Sequence, residues 1–390
     1  MAKRILVFDP VAYFGGSKQV AKRLVAQLPR DIEVWVATND VATWQDEAVY
    51  CYPLSTPAGL RDKKYGVAFY FKHLCYALQL LRLNKEAGGF ARIVGLSGPT
   101  VDFALAILQF CKRSTLIQLV QGPVPDSRSA GFGLSRAARI FSLTTAVPSV
   151  KRALGRFLNS FSFASSREPA IMVEQFTNAI DQGEIKVHRE CRSNGKDNAK
   201  NHSKNNGKQQ GIEILWSASL IKWKRLDVLL EALKILRNTY GLTEFTVNVC
   251  YIKPPAGESS CVDIDSLSRE LPPNVRLFEQ PENLAQLRAR SSIFVSTSEQ
   301  EPFGLAILEA LAAKLAVVVP SDGAYWDRVL EDGKDCAKYQ ALSPLELAQC
   351  LARLIHNPKR CRRIAAKGKA KSKQYRAANC YSQITKALSI

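Results

Sequence analysis

The sequence predicts an α/β protein made of two doubly wound parallel-sheet domains. Its 390 residues exceed one average domain. Short apolar, β-branched runs alternate with stretches of helical spacing in both halves, the pattern of strands covered by crossover helices. Between the halves, residues 190–211 hold almost nothing apolar and cannot offset their own ordering entropy, so they read as a flexible basic linker. The expected organisation is an N-terminal domain over 1–189, the linker over 190–211 and a C-terminal domain over 212–373. A last helix over about 374–390 follows.

In the first half, Ile5–Phe8 reads as a buried strand. The glycine loop Phe14-Gly15-Gly16-Ser17 follows, then a helix through Val20, Leu24 and Leu28. Ile32–Val36, Ile93–Leu96 and Leu116–Val120 read as strands, and Arg61–Leu83 and Val101–Cys111 as helices. In the second half, Ile212–Trp216, Phe245–Val249, Val275–Phe278, Ile293–Val295 and Leu315–Pro320 have strand character. Leu226, Leu229, Leu230, Leu233 and Leu236 mark one helix face. The chain closes with helices expected over Leu345–Ile355, Arg362–Lys373 and Ala378–Leu388.

The stretch from Ser296 to Asp322 carries the chemistry. Glu301 precedes the turn Pro302-Phe303-Gly304, and Glu309 lies about two turns into the helix that follows. The first amides of such a helix have no internal partner and carry the positive end of its dipole, so they receive phosphate. A carboxylate deeper in the helix repels phosphate but suits the paired hydroxyls of a ribose or sugar. Either glutamate alone would read as a solvated helix charge. Together, in a strand–loop–helix–strand unit, they point to a ligand with both phosphate and polyol parts, a nucleotide sugar.

Ser298-Glu299-Gln300-Glu301-Pro302-Phe303-Gly304-Leu305 followed by Glu309-Ala310 resembles the signature of the group 1 glycosyltransferases, the large retaining family 4. The defining element there is a Glu, seven residues and a second Glu, matched by Glu301 and Glu309. The resemblance implies the GT-B fold, two Rossmann-like doubly wound domains facing a cleft that holds the active site, with the last helix returning to the first domain. It also implies roles. Glu301 is the catalytic residue beside the transferring sugar. Lys224 and the amides of Phe303, Gly304 and Leu305 hold the donor diphosphate, and Glu309 accepts hydrogen bonds from the ribose. Front-face transfer without a metal is the implied reaction, and the nucleotide sugar is a co-substrate, so no cofactor is expected.

Other segments resemble the family with departures. Trp216–Asp227 is similar to its Gly-Arg-Leu segment with the downstream lysine at Lys224, but Ser219 stands where an arginine is usual. Lys222 or Arg225 would have to supply that cation. Asn248–Pro255 lacks the family's Gly-x-Gly loop. Phe176–Asp181 resembles a junction segment with Ala179 in place of glycine, and Asp327 stands in place of a glutamate as scaffold. Gly15 and Gly16, between a first strand and a helix, form a candidate amide cradle for donor or acceptor. Gln121 ends a strand where relatives carry a histidine, so it can contact a sugar but cannot act as a base. Asp263-Ile264-Asp265 has metal-binding spacing yet reads as a helix opening, and no metal site is assigned.

The net charge is +19, and it is uneven. Residues 1–190 carry +9, whereas 211–350 carry −5; residues 351–390 hold eleven Lys and Arg and no Asp or Glu. From Ser127 to Arg167 the cations Arg128, Arg136, Arg139, Lys151, Arg152, Arg156 and Arg167 are interleaved with Phe132, Phe141, Phe157, Phe161 and Phe163. Lys63-Lys64-Tyr65 with Phe69–Lys72 adds a second basic-aromatic face. Some of these rings belong in the core, but core packing does not explain the cations. They fit an anionic membrane surface, and many members of the family extend lipid-linked or lipopolysaccharide acceptors there. The ten scattered cysteines suit a reducing compartment. The apolar start is too short for a signal peptide, and no apolar run is long enough to span a bilayer. A cytoplasmic protein, peripheral on the inner face of the membrane, is therefore expected. The rival readings are a degenerate GT-B protein without turnover, and a basic nucleic-acid-binding protein; no nucleic-acid motif is present.

Overall fold

The computed structural model describes residues 3–45, 47–60, 63, 65–111, 114–160, 172–181, 211–254, 262–264 and 271–389. The expected linker, save Gly211, lies outside the described residues, as do Lys64, Phe161, Phe163, Arg167 and Asp265. Two compact units emerge. The first comprises Met1–Asn178 and Ala377–Ile390, and the second Ala179–Arg376.

The first unit holds seven parallel strands, β1 (Lys3–Asp9), β2 (Ile32–Thr38), β3 (Tyr50–Pro53), β4 (Arg92–Gly95), β5 (Thr115–Val120), β6 (Arg139–Leu143) and β7 (Met172–Phe176). Their order is β3-β2-β1-β4-β5-β6-β7. Ile5 to Phe8 are buried in succession, because helices cover both faces of a parallel sheet. Those helices are α1 (Gly16–Val25), α2 (Gly66–Glu86), α3 (Phe103–Cys111), α4 (Arg128–Ser135) and α5 (Val147–Asn159).

The second unit holds β8 (Ile212–Ser219), β9 (Phe245–Ile252), β10 (Val275–Glu279), β11 (Ile293–Val295), β12 (Ala316–Ser321) and β13 (Ala337–Gln340), in the order β10-β9-β8-β11-β12-β13. Its helices are α6 (Leu226–Asn238), α7 (Leu284–Arg290), α8 (Leu305–Ala312), α9 (Tyr325–Val329), α10 (Pro344–His356) and α11 (Pro358–Ser372). The leucine face of α6 meets α10 in the core between sheet and helices. In both units the strand order reverses beside the first strand, between β1 and β4 and between β8 and β11. Ligands of open α/β sheets bind at such a switch point, outside the carboxyl ends of the strands.

The chain ends with α12 (Ala377–Cys380) and α13 (Ser382–Ser389), which belong to the first unit. The single helix expected over Ala378–Leu388 is thus two, broken at Tyr381, whose fully buried ring lies 6.5 Å from that of Phe176. Lys3 Nζ donates to the Ser389 carbonyl at 2.9 Å. Other boundaries differ too. Gly16 and Ser17 already belong to α1, and Leu28 lies beyond its end at Val25. Helix α2 starts at Gly66 rather than Arg61, because Tyr65 is extended (φ −142°, ψ 167°) and Gly66 has φ +74°.

Candidate active site

The turn after β11 is built around Gly304. Its φ of +76° is a left-handed conformation that disfavours a side chain, and a Cβ there would lie 2.9 Å from Ile307 Cδ1 and 3.0 Å from Glu301 Cγ. Glycine thus allows the Glu301 side chain to lie against the start of α8. The Gly304 carbonyl accepts from the Ile307 amide at 3.1 Å and from Trp326 Nε1 at 3.2 Å. Phe303 is buried, its ring 4.8 Å from Tyr325, 5.3 Å from Trp326 and 6.0 Å from Tyr375. This aromatic packing anchors the turn from below. The amides of Phe303, Gly304 and Leu305, opening the helix, have no carbonyl one turn earlier to bond.

Lys224 ends a short 3₁₀ turn, Lys222–Lys224, that follows β8. Its Nζ lies 4.0 Å from the centre of the Trp223 ring and forms an ion pair with Glu301. The pair is mostly shielded from solvent, 15% and 14% exposed, so it is not an ordinary surface contact. Because β8 and β11 are adjacent, the loops leaving their carboxyl ends meet. Hydrogen bonds stitch them together: the Glu299 amide donates to the Trp223 carbonyl at 2.8 Å, and the Thr297 side-chain Oγ1 to the Lys224 carbonyl at 2.7 Å. Trp216 Nε1 in turn donates to Thr297 Oγ1 at 2.9 Å. Ser296, Ser298, Glu301, Asp322, Trp326 and Asp327 are among the residues that line the adjoining pocket. Burial raises the Asp327 carboxyl, but the Lys338 ammonium 2.8 Å away and the Gly323 amide outweigh it, so the group lies below its ordinary value. Through Lys338 the Asp327 side chain ties α9 to β13.

Glu309 is buried and bonds Arg288 of α7 at 2.7 Å, with both side chains under a tenth exposed. Sequence reasoning missed Arg288. Its signal was available: it falls four residues after Leu284 and directly beside Leu287 on the core-facing side of α7, where a cation needs a carboxylate. Arg225, a candidate substitute for the arginine absent at position 219, is instead bound to Asp227 at 2.8 Å and lies 3.7 Å from Glu299.

In the first unit, Gly15 caps α1 and its carbonyl accepts from the Gln19 amide at 3.1 Å. Gln121 Nε2 donates to the Leu96 carbonyl at 2.9 Å and to the Ser17 carbonyl at 3.4 Å, which ties the ends of β4 and β5 to the first turn of α1. Beneath that turn lies a cluster the sequence did not reveal. Lys18, fully buried, bonds Asp40 at 2.6 Å and lies 3.4 Å from Asp9. Trp44 Nε1 and Thr38 Oγ1 also donate to Asp9. Burial pushes the Asp9 carboxyl above its ordinary value despite the Lys18 ammonium. Gly15, Gly16 and Gln121 thus lie in one unit, and Lys224, Glu301, Phe303, Gly304, Leu305 and Glu309 in the other. Among the described residues no group of His, Cys, Asp or Glu is arranged to hold a metal ion.

No curated protein matches the chain. Residues 197–371 match the model of the family described as glycosyl transferases group 1. Solved structures match over the full length. Anabaena Alr3699/HepE, solved with UDP-glucose, is 17% identical with a TM-score of 0.72 and 99% of each chain covered. A glycosyltransferase from Rickettsia africae is 12% identical with a TM-score of 0.68, covering 99% of this chain and 98% of its own. WaaG, a glycosyltransferase involved in lipopolysaccharide biosynthesis, is 16% identical with a TM-score of 0.67, covering 98% of this chain and 99% of its own. Two Rossmann-like parallel-sheet units and these structural neighbours give the chain the GT-B fold, and its residues 197–371 match the group 1 glycosyl transferases.

Proposed function

We propose that the protein is a metal-independent, retaining hexosyl- or related glycosyltransferase. It moves a sugar from a nucleotide-sugar donor to a saccharide acceptor, lipid-linked or part of a cell-surface polysaccharide or lipopolysaccharide. The observation that carries this reading is the Lys224–Glu301 pair beside the amide-bearing start of α8, at the switch point of the second sheet. The UDP-glucose bound in Alr3699/HepE supports a nucleotide-sugar donor, and the lipopolysaccharide role of WaaG supports the acceptor class.

In this mechanism Lys224 and the amides of Phe303, Gly304 and Leu305 hold the diphosphate. Glu309, fixed by Arg288, faces the ribose hydroxyls. As the bond from C1 of the sugar to the diphosphate oxygen breaks, positive charge grows on the ring and Glu301 stabilises it. The acceptor oxygen bonds C1 on the same face, and its proton passes to the departing phosphate oxygen. Gly15, Gly16 and Gln121 contribute to sugar or acceptor contact. The basic first half keeps the protein peripheral on an anionic cytoplasmic membrane surface. Among the described residues, no helix is long and apolar enough to cross a membrane.

The test is thermal stabilisation by UDP-, GDP- and ADP-sugars, repeated with Lys224→Ala and in the presence of a chelator. A shift for one nucleotide, lost in Lys224→Ala and indifferent to chelation, supports the reading. No shift with any of them at millimolar concentration overturns it. A second reading, a protein that binds nucleotide without turnover, is favoured by Arg225 being held by Asp227 with no cation at Ser219. It predicts the same shift with no sugar transfer or donor hydrolysis.

A further inference from the structure

Helix α2 is apolar on both sides. Its inner side buries Phe69, Tyr76, Ala77, Leu80 and Leu83. On its outer side Val67, Tyr70, Phe71, Leu74 and Leu78 are exposed, at positions i, i+3, i+4, i+7 and i+11 of one stripe. A helix on the surface of a soluble protein turns charges outward instead. Val67 is 86% exposed and Phe71 55%, so these side chains are not the margins of the core. Contiguous exposed apolar surface of this kind marks an interaction site.

We propose that this stripe of α2 inserts into the surface of an anionic lipid bilayer. The inference rests on the membrane reading above and adds the element that does the docking. Exposed Lys63 precedes the stripe, and exposed Arg82 and Lys85 follow it, with Glu86 the one acidic neighbour at that end. An apolar stripe between cations matches lipid tails between anionic headgroups, and exposed Tyr65 and Tyr70 suit the boundary between them. A second copy of the chain fits less well, since face-to-face pairing would bring these cations and the +9 of residues 1–190 together. From Val67 to Leu78 the stripe runs about 16 Å, and α2 is held to its unit along the inner side, so it lies in the plane of the surface.

Of the two basic-aromatic stretches expected at a membrane surface, the one from Ser127 packs its described rings against other aromatics or in the core. Phe141 is buried, and Phe132 packs 5.7 Å from each of Phe103, Phe110 and Phe157. Arg139 is paired with Glu174 at 2.7 Å. Among its described residues, Lys151 and Arg152 are exposed and add charge rather than insertion.

The experiment compares the full chain with Val67→Gln/Phe71→Gln/Leu74→Gln and with Arg82→Ala/Lys85→Ala. Each is sedimented with phosphatidylcholine vesicles carrying about 30% phosphatidylglycerol and with phosphatidylcholine alone, at low salt and at about 0.5 M. Nucleotide-sugar stabilisation checks folding and the donor site, and light scattering gives the mass in solution. The expected result is at least tenfold weaker vesicle binding by the triple variant with an unchanged nucleotide shift. The double variant should bind more weakly than the parent chiefly at low salt, where the charges it lacks are unscreened, and the two should converge at about 0.5 M. Vesicle binding by the triple variant equal to that of the parent overturns the α2 assignment alone. A lipid-free dimer that the triple variant dissolves, with vesicle binding retained, overturns it too. Absence of binding by the parent itself overturns the membrane reading as well.

Discussion

Lys224 and Glu301 bond to each other from loops that leave the carboxyl ends of neighbouring strands β8 and β11. The cation expected to hold a diphosphate and the carboxylate expected to face the transferring sugar therefore neutralise one another before any donor arrives. In the proposed mechanism a diphosphate draws Lys224 away, which would free Glu301 as the sugar comes into place.

Glu301→Gln should accordingly bind the nucleoside diphosphate product more tightly, by about tenfold for roughly 1.4 kcal/mol of released competition, while kcat falls about 10²-fold or more. Lys224→Ala should weaken binding instead. Calorimetric titration with single-turnover kinetics checks both. Equal weakening by the two variants would show that the carboxylate does not compete for the lysine.

Arg288 and Glu309 form a buried pair, so removing one partner strands the other. Arg288→Leu or Glu309→Leu alone should cost about 3–5 kcal/mol of stability, and the double replacement much less than the sum. Urea unfolding of the four proteins measures this. Simple additivity would mean that each side chain acts through other contacts.

Gly304→Ala should destabilise the turn by about 1–2 kcal/mol for its backbone conformation alone, and further for the crowding against Ile307 and Glu301. Gly323 is the control: it has a similar φ of +75°, but a Cβ there meets nothing within 4 Å. Gly304→Ala should therefore lose more stability than Gly323→Ala in thermal unfolding, and lose transfer activity as well.

Asp102 predicts a pH dependence. It is fully buried below Ser97 and Gln118, which donate to one carboxyl oxygen at 2.8 and 2.7 Å, and burial pushes its pKa up to about 8. The folded state thus holds a proton that the unfolded chain releases near pH 4. Its contribution to stability is complete below about pH 4 and is lost as the pH rises through about 8. Asp102→Asn should flatten this slope in denaturant melts between pH 5 and 9. An unchanged slope would place the proton elsewhere.

The alternation of strands and helices was legible because parallel strands such as Ile5–Phe8 and Ala316–Val319 are buried on both faces and stay apolar without interruption. Strand β3 was not legible: Tyr50-Cys51-Tyr52-Pro53 is a short edge strand that ends in proline and is only partly buried. Strand β6 and helices α4 and α5 were obscured by their arginines, which read as a charged surface although their apolar residues pack inward. The Glu301 turn was legible from local spacing. Its partners in space were not, since Arg288 lies 21 residues before Glu309 and Lys224 lies 77 before Glu301.

The closing helices α12 and α13 lie with the first strands of the chain. This has a consequence for synthesis. A nascent chain that has reached residue 376 already contains the whole second unit, while the first still lacks the segment that brings Tyr381 to Phe176 and Ser389 to Lys3. Order of translation and order of completion are therefore reversed for the two units. A ribosome pausing late on this message would carry a finished second unit on a chain whose first unit has not closed.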